Sequence, residues 1–365
     1  MKLLASILTA WASVQVGMTM TVAFQPQPQP IRKSSSSSSS SQLHLKTYDA
    51  SAVSNCKQVT VIGGTGFVGS KVCELLVAQG VDVTSVSKSG SYKSSVNDSN
   101  DDESWTSKVT WNTADLLTAD ESSIDAAIGS PNAIISCLGV IGNDSAIVLK
   151  QGNGDANCAA FASAKRSSSS SSERKLKLNR AIYVSVSSEV VACQDSWLPE
   201  FFKGYFDGKA MAEACALDAV DGDSTKVCLV KPSFIYGGDK FGLIPPRVTS
   251  DYGSFIEELL SLGVFNFLAD ITPGLIKVAL RAPSSVEAVA GACVDAALGD
   301  SDSSGKTLEG CVEINEASGQ PPATGLTDAV EWVKEKTGEV VEFTKEEVIP
   351  KVLAKVEEIQ KASKK

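Results

Sequence analysis

The stretch Gln58-Val-Thr-Val-Ile62, followed at once by Gly63-Gly-Thr-Gly-Phe-Val-Gly69, decides the fold class of this 365-residue chain. A short apolar run bounded by glycines is typical of a buried parallel strand. Ser70–Gln79 then carries apolar residues at helical spacing, and Val81–Ser87 alternates as a second strand. This βαβ unit predicts a doubly wound parallel α/β domain, with a smaller C-terminal substrate-side region and terminal helices.

The glycine spacing in the first turn predicts a dinucleotide site. Gly63 permits the tight turn, Gly66 lets the backbone approach a pyrophosphate, and Gly69 lets the helix pack on the strand. The helix N-terminus adds N–H donors and the positive end of its dipole. A glycine-rich turn that has lost its ligand is the alternative. The candidate cofactor contacts in this loop are Gly63, Gly64, Thr65, Gly66, Phe67, Val68 and Gly69.

The ends of the next three strands supply further candidate contacts. NAD-binding proteins place a carboxylate roughly 20 residues after the loop to bind the ribose 2′-hydroxyl. Here that position reads Ser87-Lys88-Ser89-Gly90, a cation with hydroxyls, so NADP(H) is expected over NAD(H). Asp115 and Leu116 follow the third strand, where a carboxylate can accept from the adenine amino group. Leu138 and Gly139 follow the fourth and allow close backbone approach.

Composition excludes several classes of function. The net charge of −10 and pI near 4.8 argue against a nucleic-acid partner, which requires a basic face. The one histidine, His44, lies in a low-complexity leader, which disfavours a Ser-His-Asp hydrolase or a His-ligated zinc site. No two of the nine cysteines form a CxxC pair. We therefore expect reduced, buried thiols rather than a disulfide framework or a metal site.

The N-terminus reads as a targeting leader. Residues 1–23 have the pattern of a signal peptide, and residues 24–50 form a segment rich in Ser, Pro and Gln with no acid before Asp49. The combination resembles the bipartite plastid presequence of algae with secondary plastids. Secretion and a mitochondrial destination are the alternatives. Residues 1–46 hold four bases and no acid, so the remainder carries 29 bases and 43 acids, a net charge of −14.

The rest of the chain divides into three parts by composition. Residues 51–240 are expected to form the nucleotide-binding domain, with a flexible serine-rich loop at 167–172. Residues 241–320 form the substrate-side region, whose apolar segments fit either a lipid-accepting pocket or packed core. Residues 321–365 read as a tail of amphipathic helices, either solvated or docked on a partner. No transmembrane helix is expected in the mature chain.

Four motifs in this order resemble the short-chain dehydrogenase/reductases of the extended or atypical type. They are Gly63–Gly69, Asp115-Leu116, Tyr205-Phe-Asp-Gly-Lys209 and Lys231-Pro-Ser-Phe-Ile-Tyr-Gly237. Ser85–Gly90 and Trp111–Asp115 further resemble one branch of that superfamily. The branch holds the Rossmann-fold accessory subunit of NADH:ubiquinone oxidoreductase, an accessory protein of coenzyme Q biosynthesis and plastid relatives.

The resemblance implies a catalytic set. Tyr205 would be the proton donor or acceptor, while Lys209, one turn later on the same helix face, would lower the Tyr205 pKa and hold the nicotinamide ribose. Ser187 at the end of the fifth strand would orient the carbonyl, with Ser185 as the second choice. Tyr236 and Lys240 have the same spacing but lie in a glycine turn.

The fourth motif brings one further contact and one departure from the family. Pro232 completes the expected cofactor contacts. Lys231 stands where many relatives have Arg.

Two functions of different class follow. The first is an NADP(H)-dependent oxidoreductase acting on a quinone-, isoprenoid- or lipid-like substrate. The second is a non-catalytic NAD(P)H-binding accessory or assembly protein of a quinone or electron-transport complex. A sugar-nucleotide epimerase is a weaker third, since the sequence carries no visible recognition set for a nucleoside diphosphate. The expected partner is a small apolar substrate or a membrane-associated complex.

Overall fold

The computed structural model describes Lys46, Tyr48 and residues 56–92, 105–142, 145–169, 177–194, 202–238, 242–243, 246–299 and 305–320. The predicted signal peptide, nearly all of the predicted transit segment and the predicted helical tail lie outside the described residues. Within the described ranges, no helix has both the length and the apolar character needed to cross a membrane.

A seven-stranded parallel sheet forms the centre of the molecule, in the order β11-β6-β5-β4-β1-β2-β3. Its strands are β1 (Gln58–Ile62), β2 (Asp82–Ser87), β3 (Val109–Thr113), β4 (Ala133–Ser136), β5 (Arg180–Val184), β6 (Val227–Lys231) and β11 (Thr307–Glu309). Two small sheets lie beside it, made by β7 (Ile235–Tyr236) with β10 (Ser284–Ser285) and by β8 (Gly242–Leu243) with β9 (Pro246–Arg247). The strand order reverses between β1 and β4, which confirms the predicted doubly wound fold.

Helices cover both faces of the sheet. In chain order they are α1 (Phe67–Ala78), α2 (Glu121–Ile128), α3 (Ala146–Lys150), α4 (Ala156–Ser169), α5 (Ser188–Val191), α6 (Phe202–Ala219), α7 (Ser250–Leu260), α8 (Gly263–Ile271), α9 (Gly274–Ala279), α10 (Val286–Leu298) and α11 (Gly310–Ser318). A single π-helical turn, Gln151–Asp155, joins α3 to α4. The burial of apolar side chains between these helices and the sheet is the main stabilising term of the fold.

Two apolar cores flank the central sheet, and a third lies beside it. Helices α1 and α10 pack on one face around Val72, Cys73 and Cys293. Helices α2, α4 and α6 pack on the other around Phe161 and Tyr183, whose rings meet edge to face. The third core joins α7, α8 and β7, so much of the apolar sequence expected at the substrate side is packed interior.

Two details of the secondary structure differ from the sequence-based expectations. Strand β5 ends at Val184, so Ser187 begins helix α5 instead of ending a strand. Helix α4 extends through Ser169, so the first three residues of the predicted serine loop are helical. Ser168 accepts a hydrogen bond from the Leu178 N–H, and Ser167 is buried. These tertiary contacts override the low helix propensity of serine.

One disulfide corrects the expectation that all cysteines are reduced. Cys158 on α4 and Cys215 on α6 are bonded, although 57 residues separate them. The pairing was invisible in the sequence because only the packing of α4 against α6 brings the two residues together. The seven other cysteines are free thiols, and all of them are buried except Cys137, which is partly exposed.

Candidate active site

The carboxyl ends of β1, β2, β3 and β4 border a cleft of about 330 Å³. It lies where the strand order reverses, the position at which open parallel sheets bind ligands. Its lining consists of Ile62, Gly63, Thr65, Gly66, Val86, Ser87, Lys88, Ser89, Ala114, Asp115, Leu116, Cys137, Leu138, Gly139 and Ala156. The ends of four strands that are far apart in sequence thus form one continuous surface.

The glycine loop forms one wall of this cleft. Gly63 has a φ of +78°, a conformation that favours glycine, and its carbonyl accepts from the Gly66 N–H at 2.9 Å. Gly66 is the N-cap of α1, whose first turn carries no acidic residue. A methyl group on Gly69 would collide with the Gly63 carbonyl, and one on Gly64 would collide with the Ser85 hydroxyl. The loop therefore approaches β2 and α1 as closely as only glycine allows.

The predicted cofactor residues fall into two groups. Those that line the cleft are Gly63, Thr65, Gly66, Ser87, Lys88, Asp115, Leu116, Leu138 and Gly139. Gly64, Val68 and Gly69 support the loop from behind, and the Phe67 ring packs against Gly237. Pro232 is buried and accepts the Ser187 N–H at its carbonyl, at 3.1 Å. The lining also includes Ser89 and Cys137, which the sequence analysis did not select.

Lys88 and Asp115 form an ion pair at one end of the cleft. Their charged atoms lie 3.2 Å apart, and the Lys88 side chain is 69% exposed. The N–H of Leu117, together with Lys88, holds the pKa of Asp115 below its usual range. Beside them, the Ser87 hydroxyl accepts from the Gly90 N–H at 3.1 Å. This end therefore presents a cation and serine hydroxyls to solvent.

Two asparagines that the sequence analysis missed hold the opposite wall. In the π-helical turn, Asn153 accepts from the Val140 N–H at 3.0 Å and donates to the Val140 carbonyl at 2.8 Å. Asn157 donates to the Leu138 carbonyl at 3.3 Å and accepts from the Ser136 hydroxyl. Both side chains are fully buried, and their bonds fix the backbone beside Gly139. No local signal in the sequence marks either residue, because their contacts with the glycine turn form only when the helix packs against the sheet.

Lys209 and Tyr205 lie one turn apart on α6, as predicted. Nζ of Lys209 lies 5.7 Å from the centroid of the Tyr205 ring. A Cβ atom at Gly139 would lie 3.2 Å from the same Nζ atom. Helix α6 therefore brings the ammonium to the wall of the cleft. Close packing makes this approach possible, because glycine at 139 leaves room for the lysine.

The electrostatics of this pair differ from the expectation. Burial raises the pKa of Tyr205 to about 12, whereas a neighbouring lysine was expected to lower it. Burial also lowers the pKa of Lys209 to about 8. The expected lowering fails because Nζ donates to the Val184 carbonyl and desolvation of the tyrosine dominates. At neutral pH the site holds a phenol and a mostly protonated ammonium.

The two candidate serines have different surroundings. Ser187 is the N-cap of α5, and its hydroxyl accepts from the Val190 N–H at 3.3 Å. Ser185 donates to Glu213 at 2.5 Å, and Glu213 is paired with Lys231 at 3.0 Å. Ser185 is therefore part of a contact that joins α6 to β6, whereas Ser187 is a buried N-cap residue.

The structure separates Tyr236 from the site, as the sequence context indicated. Its hydroxyl donates to Glu257 at 2.6 Å, and both side chains are buried in the core around α7. Glu257 also accepts from Asn315 at 2.7 Å. Lys240, the partner in that alternative pair, lies outside the described residues. In the described ranges, no cluster of His, Cys, Asp or Glu is arranged to hold a metal ion.

Comparison with known proteins places the chain in a family. The sequence model of the NAD dependent epimerase/dehydratase family matches residues 59–260, which contain the glycine loop, the cleft and helix α6. The chain belongs to this NAD dependent epimerase/dehydratase family. The resemblance to extended short-chain dehydrogenase/reductases is thereby confirmed.

Two curated relatives of this epimerase/dehydratase-family chain are similar over part of their length. An uncharacterised chloroplastic protein of Arabidopsis thaliana is 32% identical over 194 residues, covering 53% of this chain and 55% of that protein. MIOREX complex component 2 of Saccharomyces cerevisiae is 33% identical over 84 residues, covering 23% of this chain and 29% of that protein. The chain thus spans about half the length of the plant relative and less than a third of the yeast one.

Solved structures include more distant neighbours. The enzyme WbmF of Bordetella bronchiseptica in complex with NAD+ is 17% identical, with 78% of this chain and 79% of that chain covered and a TM-score of 0.45. Vestitone reductase from alfalfa is also 17% identical, with 79% and 86% covered and a TM-score of 0.42.

Proposed function

We propose that this protein is an NADP(H)-dependent oxidoreductase that acts on the carbonyl or alcohol carbon of an apolar, quinone-, isoprenoid- or lipid-like substrate. The observation that carries the proposal is the position of the Lys209 ammonium, which lies beside Gly139 on the wall of the cleft and 5.7 Å from the centroid of the Tyr205 ring. Family membership supports a nicotinamide cofactor, and the acidic, histidine-poor composition leaves Tyr205 as the proton-transfer group.

The cleft residues fit such a dinucleotide in three sections. The Gly63–Gly66 turn and the N-terminus of α1 would receive the pyrophosphate. Asp115 and Leu116 would face the adenine, while Lys88 and its neighbouring serine hydroxyls would bind a ribose 2′-phosphate. Lys209 would hold the nicotinamide ribose. A carboxylate for the 2′-hydroxyl of NAD is missing at the end of β2, which supports the preference for NADP(H).

The protein's own groups would then move one proton. When bound, the nicotinamide supplies or accepts the hydride. Tyr205 is a neutral phenol at working pH because burial raises its pKa to about 12, so it is suited to donate a proton to the carbonyl oxygen during reduction. Ser187 would donate a hydrogen bond to the same oxygen, since its bond from the Val190 N–H uses a lone pair of the hydroxyl and not its proton. The positive charge of Lys209 would stabilise the phenolate that forms when Tyr205 gives up its proton, and would offset part of the cost of burying that negative charge.

Substitution of the phenol tests the proposal directly. Tyr205→Phe should abolish NADPH-dependent reduction across a panel of quinones and prenyl carbonyls while the Kd for NADPH changes little. Tyr92→Phe is the matched control, since Tyr92 stacks on Trp111 away from the cleft lining. Unchanged turnover in Tyr205→Phe would overturn the catalytic assignment.

A non-catalytic accessory role is the second candidate. The raised pKa of Tyr205 and the name of the yeast relative, a component of a complex, favour it. This alternative predicts that NADPH stabilises the protein against thermal unfolding but is oxidised with no member of the substrate panel. Both candidate functions therefore predict that the protein binds NADPH, but only the oxidoreductase predicts that the bound NADPH is oxidised by a substrate.

We also propose a plastid location. The leader pattern and the chloroplastic relative support it, and the mitochondrion is the alternative destination. A fluorescent protein fused behind residues 1–50 should enter plastids of an alga that has secondary plastids. Accumulation in mitochondria or in the medium would contradict this location.

A further inference from the structure

Helix α6 is attached to the central sheet through one of its faces. Tyr205, Lys209 and Glu213 follow one another at intervals of four residues, which places them on the same face of the helix. The Lys209 ammonium donates to the carbonyl of Val184, and the Glu213 carboxylate accepts from the hydroxyl of Ser185 at 2.5 Å. Two successive turns of α6 are therefore bonded to two consecutive residues at the end of β5.

A lysine at the end of the next strand completes this attachment. Nζ of Lys231, the last residue of β6, lies 3.0 Å from the Glu213 carboxylate, and the two side chains are 14% and 23% exposed. The carbonyl of the following residue, Pro232, accepts from the N–H of Ser187. Glu213 thus connects the helix that carries Tyr205 and Lys209 both to the end of β5 and to the strand end that holds Ser187.

We propose that Glu213 is a positioning residue of the active site. Its carboxylate fixes α6 to β5 and β6, and its negative charge favours the protonated form of the Lys209 ammonium beside the cleft. Lys231 shares the carboxylate and so limits the charge that acts on Lys209, while Ser185 is a partner of Glu213 and not a group that touches the substrate. The proposal rests on the proposed function for the part that Tyr205 and Lys209 play in the reaction.

The charge of Glu213 reaches Lys209 through a short path in the protein interior. Residues four apart on a helix have Cβ atoms about 5–6 Å apart, and Lys209 is only 5% exposed, so solvent screens this attraction weakly. Burial lowers the pKa of Lys209 to about 8, and the Glu213 carboxylate opposes part of that shift.

Other titratable groups surround the same ammonium. They are Tyr183 on β5, Tyr205 on α6 and Cys137 after β4. Burial raises the pKa of both tyrosines, so they are neutral phenols at working pH. On this face of α6 the negative charge therefore comes from Glu213.

An NMR titration of the full chain tests the electrostatic part. Lysine isotopically labelled at Cε gives signals that move with protonation, and the Lys209 signal is the one that Lys209→Met lacks. Glu213→Gln should lower the pKa of Lys209, because it removes the negative charge and leaves the Lys231 ammonium unpaired. Lys231→Met should raise it, because Glu213 is then no longer shared. A loss of packing alone gives no reason for these opposite signs.

Glu189→Gln is the matched control for this titration. The Glu189 carboxylate is also paired, with Arg281 at 2.8 Å, and is 27% exposed, but it lies on α5. This variant should leave the titration of Lys209 as in the wild type. A Lys209 pKa that is unchanged in Glu213→Gln, or that moves in the same direction in all three variants, would overturn the role of Glu213.

Turnover tests the positioning part. In Glu213→Gln the kcat for NADPH-dependent reduction should fall about tenfold while the KM for the substrate changes less than about twofold, because α6 is no longer fixed to β6 and Tyr205 shifts from the reacting oxygen. Lys231→Arg should retain most of the activity, since it keeps the cation that pairs with Glu213. Wild-type kcat in Glu213→Gln would overturn the positioning role.

Failure of the proposed function would look different. A wild-type protein that binds NADPH but turns over no substrate would overturn the oxidoreductase. Opposite shifts of the Lys209 pKa in Glu213→Gln and Lys231→Met would still support the action of Glu213 on Lys209.

Discussion

Nζ of Lys209 donates a 3.0 Å hydrogen bond to the carbonyl of Val184, the last residue of β5. This contact attaches helix α6 to the end of the central sheet and holds the ammonium 4.9 Å from the centroid of the Tyr183 ring. Because the lysine is buried, its charge is desolvated, and this desolvation destabilises the folded state. The position of Tyr205 follows from the same attachment.

The buried lysine makes stability depend on pH in a defined direction. Burial lowers the pKa of Lys209 from 10.5 to about 8, so between these values the unfolded chain binds more protons and the folded state gains stability as pH rises. Below about pH 8 the folded state carries the full cost of the buried charge. Lys209→Met lacks this slope and should be more stable than the wild type near neutral pH, by on the order of 1–3 kcal/mol.

Urea unfolding between pH 7 and pH 10 measures this difference for the ligand-free protein. The difference in free energy of unfolding between Lys209→Met and the wild type should shrink as pH rises. The variant also loses the hydrogen bond to Val184, which reduces this difference at every pH. Parallel stability curves for the two proteins would show that the lysine is not desolvated.

Gly69 is predicted to tolerate no side chain. A methyl group there would collide with the Gly63 carbonyl, so Gly69→Ala should push α1 away from the loop, at a cost of about 1–3 kcal/mol, and weaken NADPH binding. Gly263→Ala is the control, because no atom lies within 4 Å of its Cβ position. Chemical denaturation and nucleotide titration measure both effects; equal stability of the two variants would contradict the close contact.

Lys88 is predicted to discriminate between NADPH and NADH. Removing one charge-assisted contact to a 2′-phosphate should raise the Kd for NADPH about tenfold in Lys88→Ala, while the Kd for NADH changes less than about twofold. Lys71→Ala, which removes a cation that is paired with Glu74 on α1, should leave both values unchanged. Fluorescence titrations with NADPH and with NADH measure both Kd values. An equal rise in the two Kd values would contradict a role of Lys88 in selecting NADPH.

An N-terminal contact is predicted to stabilise the domain. Lys46 lies 2.6 Å from the carboxylate of Asp295, which is buried on α10, and the Tyr48 hydroxyl donates to the same oxygen at 3.2 Å. Because Lys46 itself is half-exposed, Lys46→Met should lower the free energy of unfolding by only about 1–2 kcal/mol.

Thermal and urea unfolding measure this loss, with Lys57→Met, at an exposed position, as the comparison. No difference between the two variants would mean that the contact contributes nothing. The contact itself extends the folded domain into the range that the leader pattern covers.

The sequence alone determined the βαβ unit, the third strand at Val109–Thr113 and the glycine loop. These features depend on local periodicity and on the conformational freedom of glycine, which are properties of neighbouring residues. The spacing of Tyr205 and Lys209 likewise placed both on one helix face, because that relation needs only 3.6 residues per turn.

Contacts between distant segments were decided only by the tertiary structure. They include the bonds of Asn153 and Asn157 to the cleft wall and the Cys158–Cys215 disulfide. No local pattern encodes them, since each requires two elements to pack. The same holds for the pKa of Tyr205: the spacing predicted a nearby cation, but the desolvation that raises the pKa is a property of the assembled interior.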